Sequence, residues 1–418
     1  MSIITGAGMT PSGEPSSPDI RVGMATVAAV GASLVGLGLA RYSYAPLQPA
    51  LVAAGWFTKG GAALLAAANL GGYFFGALLG AGLAKRISST VLLRGAMLVT
   101  ALSFLACADR SLPFSWFFVW RAASGFTGGL IMVVATTTVL AHVEPAKRGF
   151  VSQMSLFGLS LGVVCAGAVV PLVLHRGLTA AWIVLGVLAL VLTAATWSIW
   201  PPHTPHIPHA ARAGRDHGHP HEHETGSVHL FYIQYGLAAF AFMPHMIFLV
   251  DYIARDLGRG LSTGSHFYLV FAAGSVVGPF LLGYVSARIG IRPTLRVGLP
   301  ILGVAVLLPL LSTSVLSLAA SCFLAGLCMP GLVSTFLARS QELAEGDLHR
   351  HRVIWGRATA TIAVWQAVDA FVMAYLISRT QAAYTVLFVV AVASAALAFA
   401  LDFVPAGRRT TRVAAGAR

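Results

Sequence analysis

The sequence predicts an all-α membrane protein of twelve transmembrane helices in two pseudo-symmetric halves of six. Three observations carry this. The 418 residues are 57% apolar and only 10% charged, with a mean hydropathy of +0.80. Soluble domains carry roughly 25% charged residues, so this chain could not cover a water-facing surface. Twelve apolar runs approach the roughly 20 residues that cross a bilayer. Lys and Arg concentrate in alternate loops. The composition excludes a soluble enzyme, a disordered regulator and a nucleic-acid-binding domain, despite the net charge of +13.

The elements follow in order. Residues 1–21 are rich in Ser, Pro and Gly and lack a basic region before an apolar core, so they read as a disordered tail and not a signal peptide. The six spans of the first half, residues 22–200, are 24–51, 62–83, 91–107, 113–140, 150–174 and 178–200. A His-rich linker, 201–227, follows. The second half, 228–404, has spans at 228–253, 265–285, 295–311, 315–337, 354–377 and 383–404, the ninth being short. Residues 405–418 form a basic tail. Nineteen Lys and Arg fall on the side of the termini and six on the other, with Arg41 and Arg121 inside spans. Both termini and the linker are therefore expected in the cytoplasm of a cell with a bacterial-type inner membrane. The four cysteines lie in apolar stretches without a CxxC pair and read as small buried residues.

The halves repeat. Gly72, Gly76, Arg86 and Arg94 recur 202 residues later as Gly274, Gly278, Arg288 and Arg296, and Arg148 recurs as Arg350. Glycines four apart allow close helix approach. Parallel six-span repeats are a transporter architecture with the substrate between the halves. The loop Gly283-Tyr-Val285-Ser-Ala287-Arg288-Ile-Gly290-Ile-Arg292 resembles the loop motif of the major facilitator superfamily, as does Arg121-x3-Gly125-x3-Gly129 in span four. The loop lacks that motif's Asp in both halves, Lys85 standing there in the first. A closer resemblance, to the YbfB/YjiJ-type branch, lies in Gly36-Leu-Gly38-Leu-Ala40-Arg41-Tyr42-Ser-Tyr44-Ala-Pro46-Leu-Gln-Pro49, in Asn69-Leu-Gly71-Gly72-Tyr73 and in Trp355-Gly356-Arg357-Ala-Thr359. Span eleven departs from the branch pattern, reading Trp365-Gln366-Ala367-Val368-Asp369. The resemblance implies a transporter, with Arg86, Arg288 and Arg292 in gating loops, and gives no substrate.

Charged side chains inside a bilayer are costly and mark function by default. Arg41 and Arg121 sit in spans one and four, at similar depth in the outer half. No Asp or Glu occurs in spans one to six. Their acceptors are carbonyls freed near Pro46 and Pro49, a bound anion, or a carboxylate from the other half. Arg121 could equally brace helices through carbonyls. Asp369 is the carboxylate nearest the middle of a span, and a lone carboxyl away from water can take up and release a proton. The alternative for Asp369 is a solvated residue or a fixed ion pair. Asp251 and Asp402 lie near span ends and read as interfacial. In span seven, Met243-Pro244-His245-Met246 combines a helix kink with a titratable ring. The candidate solute-binding set is Arg41, Arg121, Tyr42, Tyr44, Asn69, Tyr73, His245 and Gln366. Asp369 and His245 are the candidates for proton coupling.

The linker holds seven of the fourteen histidines. His217, His219, His221 and His223 are weak metal candidates, and a solvated flexible linker is the plainer reading. No Gly-x4-Gly-Lys-Ser/Thr phosphate loop occurs, which separates the chain from ATP-driven pumps. The sequence thus points to a monomeric, non-enzymatic secondary transporter without a cofactor. It would move a small solute by alternating access, with a proton as coupling ion and an organic anion as possible cargo. The alternatives are a copper-type metal transporter, drawing on the Met and His residues of span seven, and a sensor or scaffold acting through the His-rich loop. The orientation is open to test: a reporter active only in the cytoplasm should be active when fused within 201–227, and a periplasmic signal there would overturn the span count.

Overall fold

The computed structural model describes residues 18–140, 142–144, 148–200, 226–345, 347–380 and 382–404. Among them are twelve helices long and apolar enough to cross a membrane. The first half comprises α1 (Val22–Ala53), α2 (Lys59–Arg86), α3 (Ser89–Ala106), α4 (Phe114–Leu140), α5 (Met154–Leu174) and α6 (Leu178–Thr196). The second comprises α7 (Ser227–Asp256), α8 (Gly260–Ile289), α9 (Ile291–Leu311), α10 (Val315–Leu343), α11 (Val353–Ile377) and α12 (Ala383–Leu401). The end where α1 begins is called proximal below, and the end holding the α1–α2 turn distal.

Local chemistry sets the helix ends. Thr58 caps α2 by accepting from the Gly61 N–H at 3.1 Å, and Ser314 caps α10 by accepting from Ser317 N–H at 3.3 Å. Gly290, at φ +92°, separates α8 from α9 in a conformation that side chains rarely adopt. The ninth span is longer than the sequence suggested. It starts at Ile291 and takes Pro293 into its first turn, where a missing N–H costs nothing. The shortest helix is α3, with 18 residues.

The internal repeat reappears as matched helix crossings. A methyl group added at Gly72 or Gly76 of α2 would overlap the carbonyls of Ala122 and Phe126 on α4. One added at Gly274 or Gly278 of α8 would overlap those of Phe323 and Leu327 on α10. The partners answer in kind, with Gly125 against Asn69 and Gly326 against Phe271. In lipid, helix association depends on close van der Waals packing, and small residues permit it.

The halves meet along two seams, α2 on α11 and α5 on α8. On the second, Ser160 Oγ donates to the Ser275 carbonyl at 2.7 Å, and the rings of Phe157 and Phe280 lie 5.4 Å apart. The halves also touch at both ends. Distally, α1 touches α7, and Leu47, Gln48 and Leu51 are buried together with Leu249, Val250 and Ile253. Proximally, Gln341 Nε2 at the end of α10 donates to Ser152 Oγ at the start of α5 at 3.1 Å.

The glycine crossings are expected to limit stability. Gly76→Leu or Gly278→Leu should cost about 1–3 kcal/mol, read as a lower melting temperature in detergent. Gly82→Ala and Gly95→Ala, helix positions whose added methyl would meet nothing within 4 Å, should not lower it and should raise it slightly.

Candidate functional site

The site starts from a change of helix type. Residues Leu34–Tyr42 of α1 are π-helical, and every one of them is buried. The wider turn marks functional positions in many helices. Here it carries Arg41 to the seam between the halves. Arg41 is 7% exposed, and its Nη1 donates to Gln366 Oε1 on α11 at 3.1 Å. The guanidinium lies 4.1 Å from the centroid of the Tyr73 ring, a cation–π contact of the desolvated kind. Its Nη2 is buried without a hydrogen-bond partner.

A cavity of about 30 Å³ opens beside this group. It has room for about one or two water molecules. Arg41, Tyr42, Tyr73 and Met132 line it from the first half, and Tyr235, Phe242, Met246, Met329 and Gln366 from the second. Tyr42 Oη donates to the Met329 sulfur at 3.3 Å, a further bond between the halves.

A second layer lies behind the first. Arg121, 3% exposed, does not line the cavity; its Nη1 donates to the Ala40 carbonyl at 2.9 Å, and its guanidinium lies 4.4 Å from the centroid of the Tyr44 ring. Tyr44 Oη donates to the Ala62 carbonyl at 2.7 Å, and Asn69 Nδ2 donates to the Arg121 carbonyl at 3.3 Å. These three residues brace α1, α2 and α4 next to Arg41. Arg121 thus takes a carbonyl as its acceptor, in the π-helical stretch and not next to Pro46 or Pro49.

Of the residues singled out from sequence, the cavity gathers Arg41, Tyr42, Tyr73 and Gln366. His245 is elsewhere. Its Nε2 lies 2.7 Å from Ser321 Oγ, and that hydroxyl donates to the Ala305 carbonyl, so Nε2 is the donor of the pair. Its ring stacks near Phe271 and meets Phe388 edge-on, inside the second half. Residues Pro244–Phe248 are π-helical, and Met246 faces the cavity where His245 was expected. Asp369 is 3% exposed, and its Oδ2 has no hydrogen-bond partner among the described residues. Among the described residues no ion pair joins it to Arg41 or Arg121; Gln366, three residues earlier, holds Arg41 instead. Arg86, Arg288 and Arg292 are exposed at the proximal ends, with Arg288 over the Tyr284 ring. His217, His219, His221 and His223 lie outside the described residues.

The sequence missed two features. Tyr235 lines the cavity, fully buried, with its hydroxyl unpartnered. The spacing of Tyr235, Ala239, Phe242 and Met246 forms a stripe along one face of α7 and could have revealed it. Asp251 does lie near the distal end of α7, but it is buried inside the protein, not solvated as the sequence implied. It is fully buried and accepts from Arg255 and from Tyr384 Oη of α12. Beyond it α7 runs on to Asp256 through a second π-helical stretch, Tyr252–Asp256, which carries Arg255, the residue that pairs with Asp251. Asp402 does sit at a helix end, where it accepts from Arg296 Nε at 2.5 Å.

Two six-helix halves that close on a buried cavity between them define a membrane transporter of the major facilitator type. Within that class, a family model described as "Uncharacterised MFS-type transporter YbfB" matches residues 33–403, and the chain belongs to that family. Among curated proteins none matches the chain. The chain is a multi-pass membrane protein, and a transporter of this family binds a small solute within the bilayer.

The buried pair at Asp251 can be tested. Arg255→Met leaves a buried carboxylate with only Tyr384 beside it and should cost about 3 kcal/mol. The double variant Asp251→Asn with Arg255→Met should recover part of that loss, as read from thermal unfolding in detergent.

Proposed function

We propose that the protein is a secondary transporter that moves a small organic anion by alternating access, coupled to protons. The observation that carries this reading is the Arg41 guanidinium: buried at the seam, beside a cavity, with Nη2 unpartnered and no carboxylate bonded to it among the described residues. A fixed positive charge in a low dielectric attracts an anion strongly. A carboxylate can take the planar fork by two parallel bonds. The narrow cavity belongs to one state of the cycle. Solute entry requires one end to open, which parts the Tyr42–Met329 and Arg41–Gln366 bonds between the halves.

Asp369 is the proposed proton carrier. It lies about 4.5 Å along α11 from Gln366, so a small shift of α11 would bring it toward Arg41. Protonated, it leaves Arg41 free for the anion. Deprotonated, it competes for the same guanidinium and helps expel the solute. The proposed setting is an inner membrane, with the proximal end and the linker cytoplasmic and the chain acting as a monomer. Three thioethers, of Met132, Met246 and Met329, line the cavity and would also suit a soft cation such as Cu(I). The fixed charge of Arg41 on the same wall opposes a cation.

Proteoliposomes test this directly. Asp369→Asn should abolish accumulation driven by a pH gradient while preserving exchange of solute for solute. Arg41→Lys should weaken binding at least about tenfold, because an ammonium lacks the fork. Wild-type accumulation by Asp369→Asn would refute the proton role, and unchanged affinity in Arg41→Lys would refute the anion site.

A further inference from the structure

The cavity holds a second unsatisfied donor, and it belongs to the other half. Tyr235 of α7 is fully buried, lines the cavity and has no partner for its hydroxyl. Its ring is fixed from behind. It stacks on Trp355 with centroids 5.8 Å apart and lies tilted against Phe336 with centroids 4.6 Å apart. A buried hydroxyl without a partner is rare in a settled protein interior and calls for an explanation. Gln366 Oε1, the amide acceptor in the cavity wall, is engaged by Arg41. The cavity therefore presents two free donors, Arg41 Nη2 and Tyr235 Oη, one from each half.

The remaining walls are apolar and adaptable. Tyr42, Tyr73 and Phe242 offer flat rings, and Met132, Met246 and Met329 offer unbranched thioethers. Methionine repacks readily around varied shapes, so the small cavity can widen around a ring. Neither a sugar, which needs many paired polar groups, nor a dicarboxylate, which needs a second cation, fits such walls.

We propose that Tyr235 is a solute-binding and specificity-determining residue, and that the solute is a flat, apolar-bodied monocarboxylate with a second oxygen acceptor. Its carboxylate lies on Arg41 and its second oxygen accepts from Tyr235, so that one molecule bridges the two halves. This rests on the anion reading above and adds the body and the second acceptor to it.

The test is calorimetric titration of the purified full-length protein in detergent. The probes are benzoate, 3- and 4-acetylbenzoate, acetate and benzylamine. Wild type should bind the better acetylbenzoate about fivefold more tightly than benzoate, the worth of one added neutral hydrogen bond. It should bind acetate far more weakly and benzylamine not at all. Tyr235→Phe keeps the ring on Trp355 and Phe336 and should bring the acetylbenzoate-to-benzoate ratio to about one. A ratio near one in wild type, or one that survives in Tyr235→Phe, overturns the role of Tyr235. Acetate bound as tightly as benzoate overturns the flat apolar body while leaving the anion reading intact. Binding of benzylamine without any carboxylate defeats the anion reading itself, and this inference with it.

Discussion

Two guanidinium groups lie in the interior of a bilayer-spanning bundle, and the arrangement of the first half follows from keeping them there. Among the described residues neither is paired with a carboxylate. Their charge is carried instead by ring faces and by carbonyl and amide dipoles: Tyr73 and Gln366 for Arg41, Tyr44 and the Ala40 carbonyl for Arg121. Burying an ion is costly, and this solvation must be complete enough to hold it. It needs α1, α2 and α4 in close register. The glycine crossings supply that register, because Gly72, Gly76 and Gly125 let α2 and α4 approach to backbone contact beside both arginines.

Much of this fold was legible in the sequence, because bilayer physics acts on composition. A span needs length and apolarity, and both are local properties. The glycine repeat was also legible, since backbone contact leaves room for few other residues. The roles of single residues were less so. Depth along a helix can be read from residue number, but direction around it cannot once the turn changes. Met246 and His245 are neighbours in sequence. The π-helical stretch Pro244–Phe248 holds one toward the cavity and the other toward Ser321. The burial of Asp251 was not legible either, because it depends on Tyr384 of α12, a partner 133 residues away.

The repeat sets the scaffold but not the chemistry. At an offset of 202 residues, Arg41 corresponds to Met243, Asn69 to Phe271, Tyr73 to Ser275 and Arg121 to Phe323. The first half keeps the cations and their bracing; the second has apolar, aromatic or small residues at the matching places. To the shared cavity the second half contributes an amide, an unpartnered hydroxyl and two of the three thioethers, and one turn from the amide, outside the cavity wall, it holds a buried carboxyl.

This division bears on how such a bundle could work. A site built equally from both halves would be torn in two whenever one end opened. Under the proposed function, Arg41 stays fixed to its braced half and keeps hold of the anion, while Gln366 and Tyr235 make and break their contacts as the second half rocks. The strongest interaction then never has to be rebuilt within a cycle. The weaker neutral bonds to the second half report whether the solute is present, because a molecule that reaches both walls adds bonds across the seam to those the halves make directly. Asp369 belongs on the moving side for the same reason. A carboxylate anchored beside Arg41 in the first half would pair with it permanently and leave no charge for the solute, whereas one carried on α11 can approach and withdraw.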